Sequence, residues 1–223
     1  MRAAYISAKA LACKGVHMTK QKHSPIIIAM TGASGAPYAL RLIERLARQE
    51  IQLHLLISDA ARVVLDKESG FKLTANLDDM AQEVADFVGV DAKYLTCWGN
   101  KDWMSPVASG SADMQDMVVV PCSMGSLARI ATGASSNLIE RATDVMMKER
   151  KNLILVPRET PLSEIHLGHM YNLSKMGVRI IPAMPGFYHA PKTIDDLVDF
   201  MVDRIMDHLG VDDGSNIRWG TGE

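Results

Sequence analysis

Two hydrophobic periods alternate along this chain, and that alternation constrains its fold more than anything else. Residues 26–30 are a continuous apolar run, Ile-Ile-Ile-Ala-Met, bounded by Pro25 and Gly32. An unbroken, β-branched run of this length predicts a strand buried on both faces. Residues 36–49 follow, with Leu40, Ile43, Leu46 and Ala47 at helical spacing and charges on the opposite side, the pattern of an amphipathic helix. Further strands are predicted at 51–57, 117–120, 153–156 and 178–181. Further helices are predicted at 123–130, 137–150, 162–176 and 194–209. Strands alternating with helices imply parallel βαβ units with right-handed crossovers. The expected architecture is therefore a doubly wound parallel α/β sheet in three layers, formed as one domain by residues 25–223. Residues 1–24 carry scattered lysines and no strong period, and read as an N-terminal extension to that domain.

Composition narrows the function. The 223 residues carry 24 Lys plus Arg against 26 Asp plus Glu, a net charge of -2, which gives no electrostatic case for nucleic acid or an anionic membrane surface. No apolar run approaches the length of a membrane span. The three cysteines, Cys13, Cys97 and Cys122, are odd in number and lack CxxC spacing. Neither a disulfide framework nor a zinc site is expected, and a reducing cytoplasm suits the chain. Fifteen methionines suit adaptable core and interface filling.

In a doubly wound sheet, ligands lie beyond the carboxyl ends of the strands, so the segments after each strand carry the functional argument. The first is Thr31-Gly32-Ala33-Ser34-Gly35-Ala36-Pro37. Two glycines and a serine ahead of a helix suggest outward-facing amides that take an anion or a flavin edge; a tight turn without a ligand is the plain alternative. The motif is not GxGxxG. Ser58 stands where a dinucleotide-binding acid would end the second strand, and Asp59 beside it reads as a helix cap, so NAD is poorly supported. A second loop, Pro121-Cys122-Ser123-Met124-Gly125-Ser126, repeats the small-hydroxyl pattern, and together the two loops suit a phosphorylated planar cofactor. Arg141 and Lys148 share a helical face, with Lys148 and Asp144 at i,i+4 spacing; a solvated face is the plain reading. Arg158 and Glu159 directly follow another predicted strand. Arg158, Arg141 and Lys148 are expected to converge on a phosphate, with a buried Glu159 among them able to carry a proton. Tyr188 sits at the same rim. His166, His169 and His189 lack metal-ligand spacing.

These segments carry a family resemblance. TGASGAPYALRL, DWMSPVASGS, PCSMGSLARIATGASSNLIERATDVMMKER, LVPRETPLSEIH, PGFYHAPKTIDDLVDF and a terminal RWG closely resemble the UbiX-type flavin prenyltransferases, in the same order and over about residues 25 to 220. The resemblance implies a flavodoxin-like fold, a homododecamer and no metal. It also implies transfer of the dimethylallyl group of dimethylallyl phosphate to N5 and C6 of reduced FMN. The prenylated FMN so made serves UbiD-type decarboxylases, including that of ubiquinone biosynthesis. Carried over residue by residue, Gly32, Ala33, Ser34, Ser58, Ser123, Met124, Gly125, Ser126 and Arg141 match the family's FMN contacts. Lys148, Arg158, Tyr188 and Arg204 match its contacts to the substrate phosphate. Glu68, Glu159 and Ser34 match groups implicated in the chemistry, and Trp103 and Trp219 match aromatics around the prenyl chain. These residue types suit the reaction: cations stabilise a departing phosphate, and indole faces tolerate allylic positive charge. Rival readings are a flavin-dependent cysteine decarboxylase, whose PASANT motif is absent from the sequence, and a flavin-binding protein without chemistry.

Overall fold

A computed structural model describes residues 23–215; Trp219 and residues 1–22 of the predicted N-terminal extension lie outside them. Among the described residues six parallel strands are present: β1 (Ile26–Met30), β2 (Leu53–Ile57), β3 (Leu95–Trp98), β4 (Asp116–Cys122), β5 (Asn152–Pro157) and β6 (Arg179–Ile180). They form one sheet in the order β3-β2-β1-β4-β5-β6. The α-helices among the described residues are α1 (Ala36–Arg48), α2 (Asp59–Ser69), α3 (Leu77–Val88), α4 (Met124–Ala131), α5 (Leu138–Lys148), α6 (Glu164–Lys175) and α7 (Ile194–Leu209).

The strand pleat divides the core. Ile26, Ile28 and Met30 join the buried cluster that includes residues of α1, α3 and α7, whereas Ile27 and Ala29 join the cluster that includes α4, α5 and Leu173 of α6. Successive side chains of one strand thus feed opposite layers, giving a doubly wound, three-layer α/β/α fold. Strand order reverses between β1 and β4, and a crevice opens at their carboxyl ends.

The structure adds three elements that the sequence reading passes over: α2, α3 and β3. It also shortens β2. The amide of Ile51 still bonds Leu46 O at 3.3 Å, so the chain is leaving α1 there and enters the sheet only at Leu53. Asp59 does not cap α2: Ser58 does, its side chain accepting from the Ala61 amide while Asp59 is the first helical residue. Among the described residues, no helix is long and apolar enough to cross a membrane.

Candidate active site

Thr31 laces the two loops of the crevice together. Its hydroxyl donates to Pro121 O at 2.9 Å and accepts from the Ser123 amide at 2.7 Å, fixing the end of β1 against the end of β4. Gly32 has no room for a side chain, because a Cβ there would sit 2.5 Å from Ala60 Cβ. Its absence lets the loop after β1 press against the start of α2. Between these loops lies a cavity of about 180 Å³, with Ser58, Ser123, Ser126, Arg129 and Asn137 among its lining residues. Ser123 caps α4, accepting from the Ser126 amide at 3.3 Å while its hydroxyl donates to Ser126 Oγ at 3.1 Å. The cavity is smaller than whole-ligand pockets of roughly 300–1,000 Å³. A small, hydroxyl-rich recess of this kind suits the phosphate end of FMN, with the remainder of the molecule lying outside it.

The amides at the start of α1 are not open to a ligand, contrary to the sequence expectation. Glu68, in the last turn of α2, places Oε2 2.9 Å from both the Gly35 and Ala36 amides. The Ala33 amide is also taken, by Thr31 O at 2.9 Å. Partial burial pulls the pKa of Glu68 up. The Ser34 hydroxyl, the Gly35 and Ala36 amides and the charge of Arg158 outweigh it and hold the carboxyl below its ordinary value. Arg158 closes the group by donating from Nε to Ser34 O at 3.2 Å. The neighbouring Tyr38 hydroxyl has its pKa raised, first by burial and then by Glu68. Ser34, Glu68 and Arg158 therefore form one cluster at the carboxyl edge of the sheet, holding a fixed negative charge, a hydroxyl and a guanidinium.

The other predicted residues occupy separate places in one chain. Glu159 is exposed rather than buried, and its carboxylate accepts from the Thr160 amide at 3.0 Å. Arg141 donates to Ala108 O at 3.2 Å and pairs with Asp144 at 2.9 Å. Lys148 pairs with Glu149, not with Asp144, which Arg141 has taken. Arg158, Arg141 and Lys148 do not converge within one chain. α5 runs antiparallel to the strands, so Lys148 lies at the amino edge of the sheet and Arg158 at the carboxyl edge. The six residues of β5, at about 3.3 Å each, separate them by roughly 20 Å. Arg204, paired with Asp207 at 3.1 Å, lies eleven residues past the α7 cap Thr193, about 16 Å along the helix from it. Tyr188 and Trp103 are exposed on loops; the Tyr188 ring meets the edges of His189 and Phe200. Met124 and Ser126 are buried at the start of α4, and Gly125 is exposed.

Two further features frame the site. A cavity of about 660 Å³ between α1 and α7 is lined by Arg41, Arg45, Phe200 and Asp213 among others, and holds none of the predicted site residues. Cys97 and Cys122 are unpaired, and burial pushes both thiols up to about 12. Among the described residues, no group of three or more His, Cys, Asp or Glu is placed to hold a metal ion.

Comparison with known proteins matches this geometry to a family. The flavoprotein family model aligns with residues 15–206, and the chain belongs to that family. Flavin prenyltransferase UbiX of Pseudomonas aeruginosa is 49% identical over 195 residues, covering 87% of this chain and 93% of its own. The corresponding protein of Alkalihalophilus pseudofirmus is 45% identical, over 91% of this chain and all of its own. Within the flavoproteins the chain is thus a member of the UbiX-type flavin prenyltransferases, and so a transferase. A solved structure of AnUbiX (PadA1) in complex with FMN and dimethylallyl pyrophosphate is 38% identical with a TM-score of 0.78, covering 90% and 99% of the two chains. A dodecameric FMN-dependent UbiX-like decarboxylase from Escherichia coli is also 38% identical, with a TM-score of 0.76 and 87% and 98% covered. A PPC decarboxylase mutant at 16% identity and a TM-score of 0.53 shares the fold alone.

Proposed function

We propose that this protein transfers the dimethylallyl group of dimethylallyl phosphate to reduced FMN, at a site completed by more than one subunit. The observation that carries the reading is the Ser34–Glu68–Arg158 cluster beside the hydroxyl-lined recess between β1 and β4. Reduced FMN, when bound, supplies the nucleophilic ring that accepts the prenyl group. Gly32, Ser58 and Ser123–Ser126 hold its polar end, and Arg141 contributes to the same cofactor. Arg158 meets the phosphate of the prenyl donor and neutralises the charge that builds as the C–O bond breaks. Lys148, Arg204 and Tyr188 add to that phosphate contact from neighbouring chains, because one chain sets Lys148 and Arg204 far from Arg158. Trp103 and Trp219 shield the allylic group from water. Glu68 stays ionised at neutral pH, which suits it to orient Ser34 and stabilise positive charge. Glu159, reached by solvent in one chain, becomes enclosed on assembly and carries a proton.

Several properties support the assembly. Trp103 is 46% exposed, Met104 98% and Phe187 71%, large apolar side chains that contact between subunits would cover. The Escherichia coli relative is dodecameric, and a homododecamer is the reading adopted for this chain. The product serves a UbiD-type decarboxylase, with ubiquinone biosynthesis as its setting and the cytoplasm as its compartment; two unpaired thiols, Cys122 buried and Cys97 partly so, suit that compartment. The test is mass spectrometry of the flavin after anaerobic incubation with FMNH2 and either dimethylallyl phosphate or the diphosphate. A mass gain of one dimethylallyl group, produced faster from the monophosphate, is the expected result. Unmodified FMN with both donors would overturn the reading, and a faster reaction with the diphosphate would reassign the donor.

A further inference from the structure

Arg129 stands out among the residues around the recess because its surroundings hold it in place. It projects from α4 into the lining of the 180 Å³ cavity, together with Ser58, Ser123 and Ser126. Its Nε donates to Glu140 Oε1, and one terminal nitrogen donates to Ser126 Oγ at 3.3 Å. Glu140 is 1% exposed. It accepts from the Ser136 amide at 2.8 Å and from Asn137 Nδ2 at 2.8 Å. Burial raises the pKa of this carboxyl, but the Ser136 amide, Arg129 and Asn137 hold it below the ordinary value, so it is ionised at neutral pH. A guanidinium has five N–H groups. Two are used in these contacts, and the other three have no partner among the described residues.

A buried carboxylate in the wall of an anion-binding recess poses an electrostatic problem. Glu140 alone would repel a phosphate dianion, and low local polarity would strengthen that repulsion. An arginine bonded to the carboxylate on one edge, with donors left over on the others, resolves it by bridging the two anions. Arg forks match phosphate oxygens, and such contacts are charge-assisted. We infer that Arg129 is a further FMN-binding residue, whose guanidinium, anchored by Glu140, contacts the flavin phosphate and makes the site select FMN over riboflavin. The inference rests on the proposed binding of FMN in this recess.

Titration calorimetry of the intact assembled protein with FMN and with riboflavin tests it, comparing wild type, Arg129→Ala and Arg129→Lys. Arg129 is half exposed, and in Arg129→Ala the Glu140 carboxylate keeps the Ser136 amide and Asn137 as donors, while Arg129→Lys preserves the neutralising charge if the Ala variant folds poorly. Loss of one charge-assisted contact is expected to weaken FMN binding by about tenfold to a hundredfold, with riboflavin affinity unchanged. Arg129→Lys keeps the charge but not the fork, and falls between. An FMN-to-riboflavin affinity ratio unchanged in Arg129→Ala would overturn the inference, whether both affinities fall or neither does, while leaving FMN binding standing. Wild-type protein that binds neither flavin would overturn both.

Discussion

Glu68 shows how a single side chain decides what a loop can bind. The glycine-rich segment after β1 reads in sequence as a set of free amides, yet a carboxylate 33 residues away occupies two of them. That carboxylate had no local signature. It sits in an ordinary amphipathic helix, and only family resemblance marked it. Arg129 was missed for the same reason, because its partner Glu140 is eleven positions away and on another helix. Ser123 and Ser126, by contrast, were legible as part of a small-hydroxyl loop opening a helix, whereas Ser58 was not, its capping role having been read onto Asp59. Two outcomes follow. Arg158→Ala is expected to reduce prenyl transfer about a hundredfold while FMN remains bound, as read by flavin fluorescence and product mass; an unchanged rate would return Arg158 to a solvent role. Glu68 has a folded-state pKa below its ordinary value, so its contribution to stability is present above that ordinary value and is lost as pH falls through the folded one. Melting curves between about pH 6 and pH 3 should therefore fall more steeply for wild type than for Glu68→Gln. Parallel curves would show that the carboxylate charge contributes nothing to the fold.

At the scale of elements, the sequence reading passed over β3, α2 and α3, the last despite the helical spacing of Leu77, Met80, Val84 and Val88; β3 and α2 carry little pattern to find. β3 has four residues, of which only Leu95 is buried, and α2 buries only Ala61 and Leu65. Pattern alone cannot separate such segments from loops. The sequence also could not show how α1 is fastened to α7. Arg45 is buried on α1 and pairs with Asp203 of α7 at 2.6 Å and with Asp213 at 2.7 Å, and it also bonds Ser215. Two regions distant in sequence, α1 and the chain from Asp203 to Ser215, meet at one guanidinium. Removing one partner of a buried ion pair leaves an uncompensated charge, so Arg45→Ala is expected to destabilise the fold by about 3–5 kcal/mol in urea unfolding. A loss below about 1 kcal/mol would place this network with weak surface pairs.

For the molecule as a whole, strand direction and helix orientation set the functional problem. A helix returning antiparallel to the sheet must carry its last residue to the edge opposite the active crevice, and this is where Lys148 lies. Periodicity placed Lys148 and Arg158 beside strand β5 but could not show that they stand at its two ends. The sequence reading had them converge, and in one chain they cannot. If both meet one phosphate, they come from different subunits, which brings the exposed apolar residues Trp103, Met104 and Phe187 into the same account as the chemistry. Subunit complementation tests this shared site most directly. Lys148→Ala and Arg158→Ala chains are each prepared alone and then mixed, dissociated and reassembled, and prenyl transfer is measured on assemblies of verified mixed composition. Each variant alone should be nearly inactive, and random mixing should restore intact sites at about a quarter of positions, with activity to match. Mixed assemblies as inactive as their parents would contradict a site built from two chains.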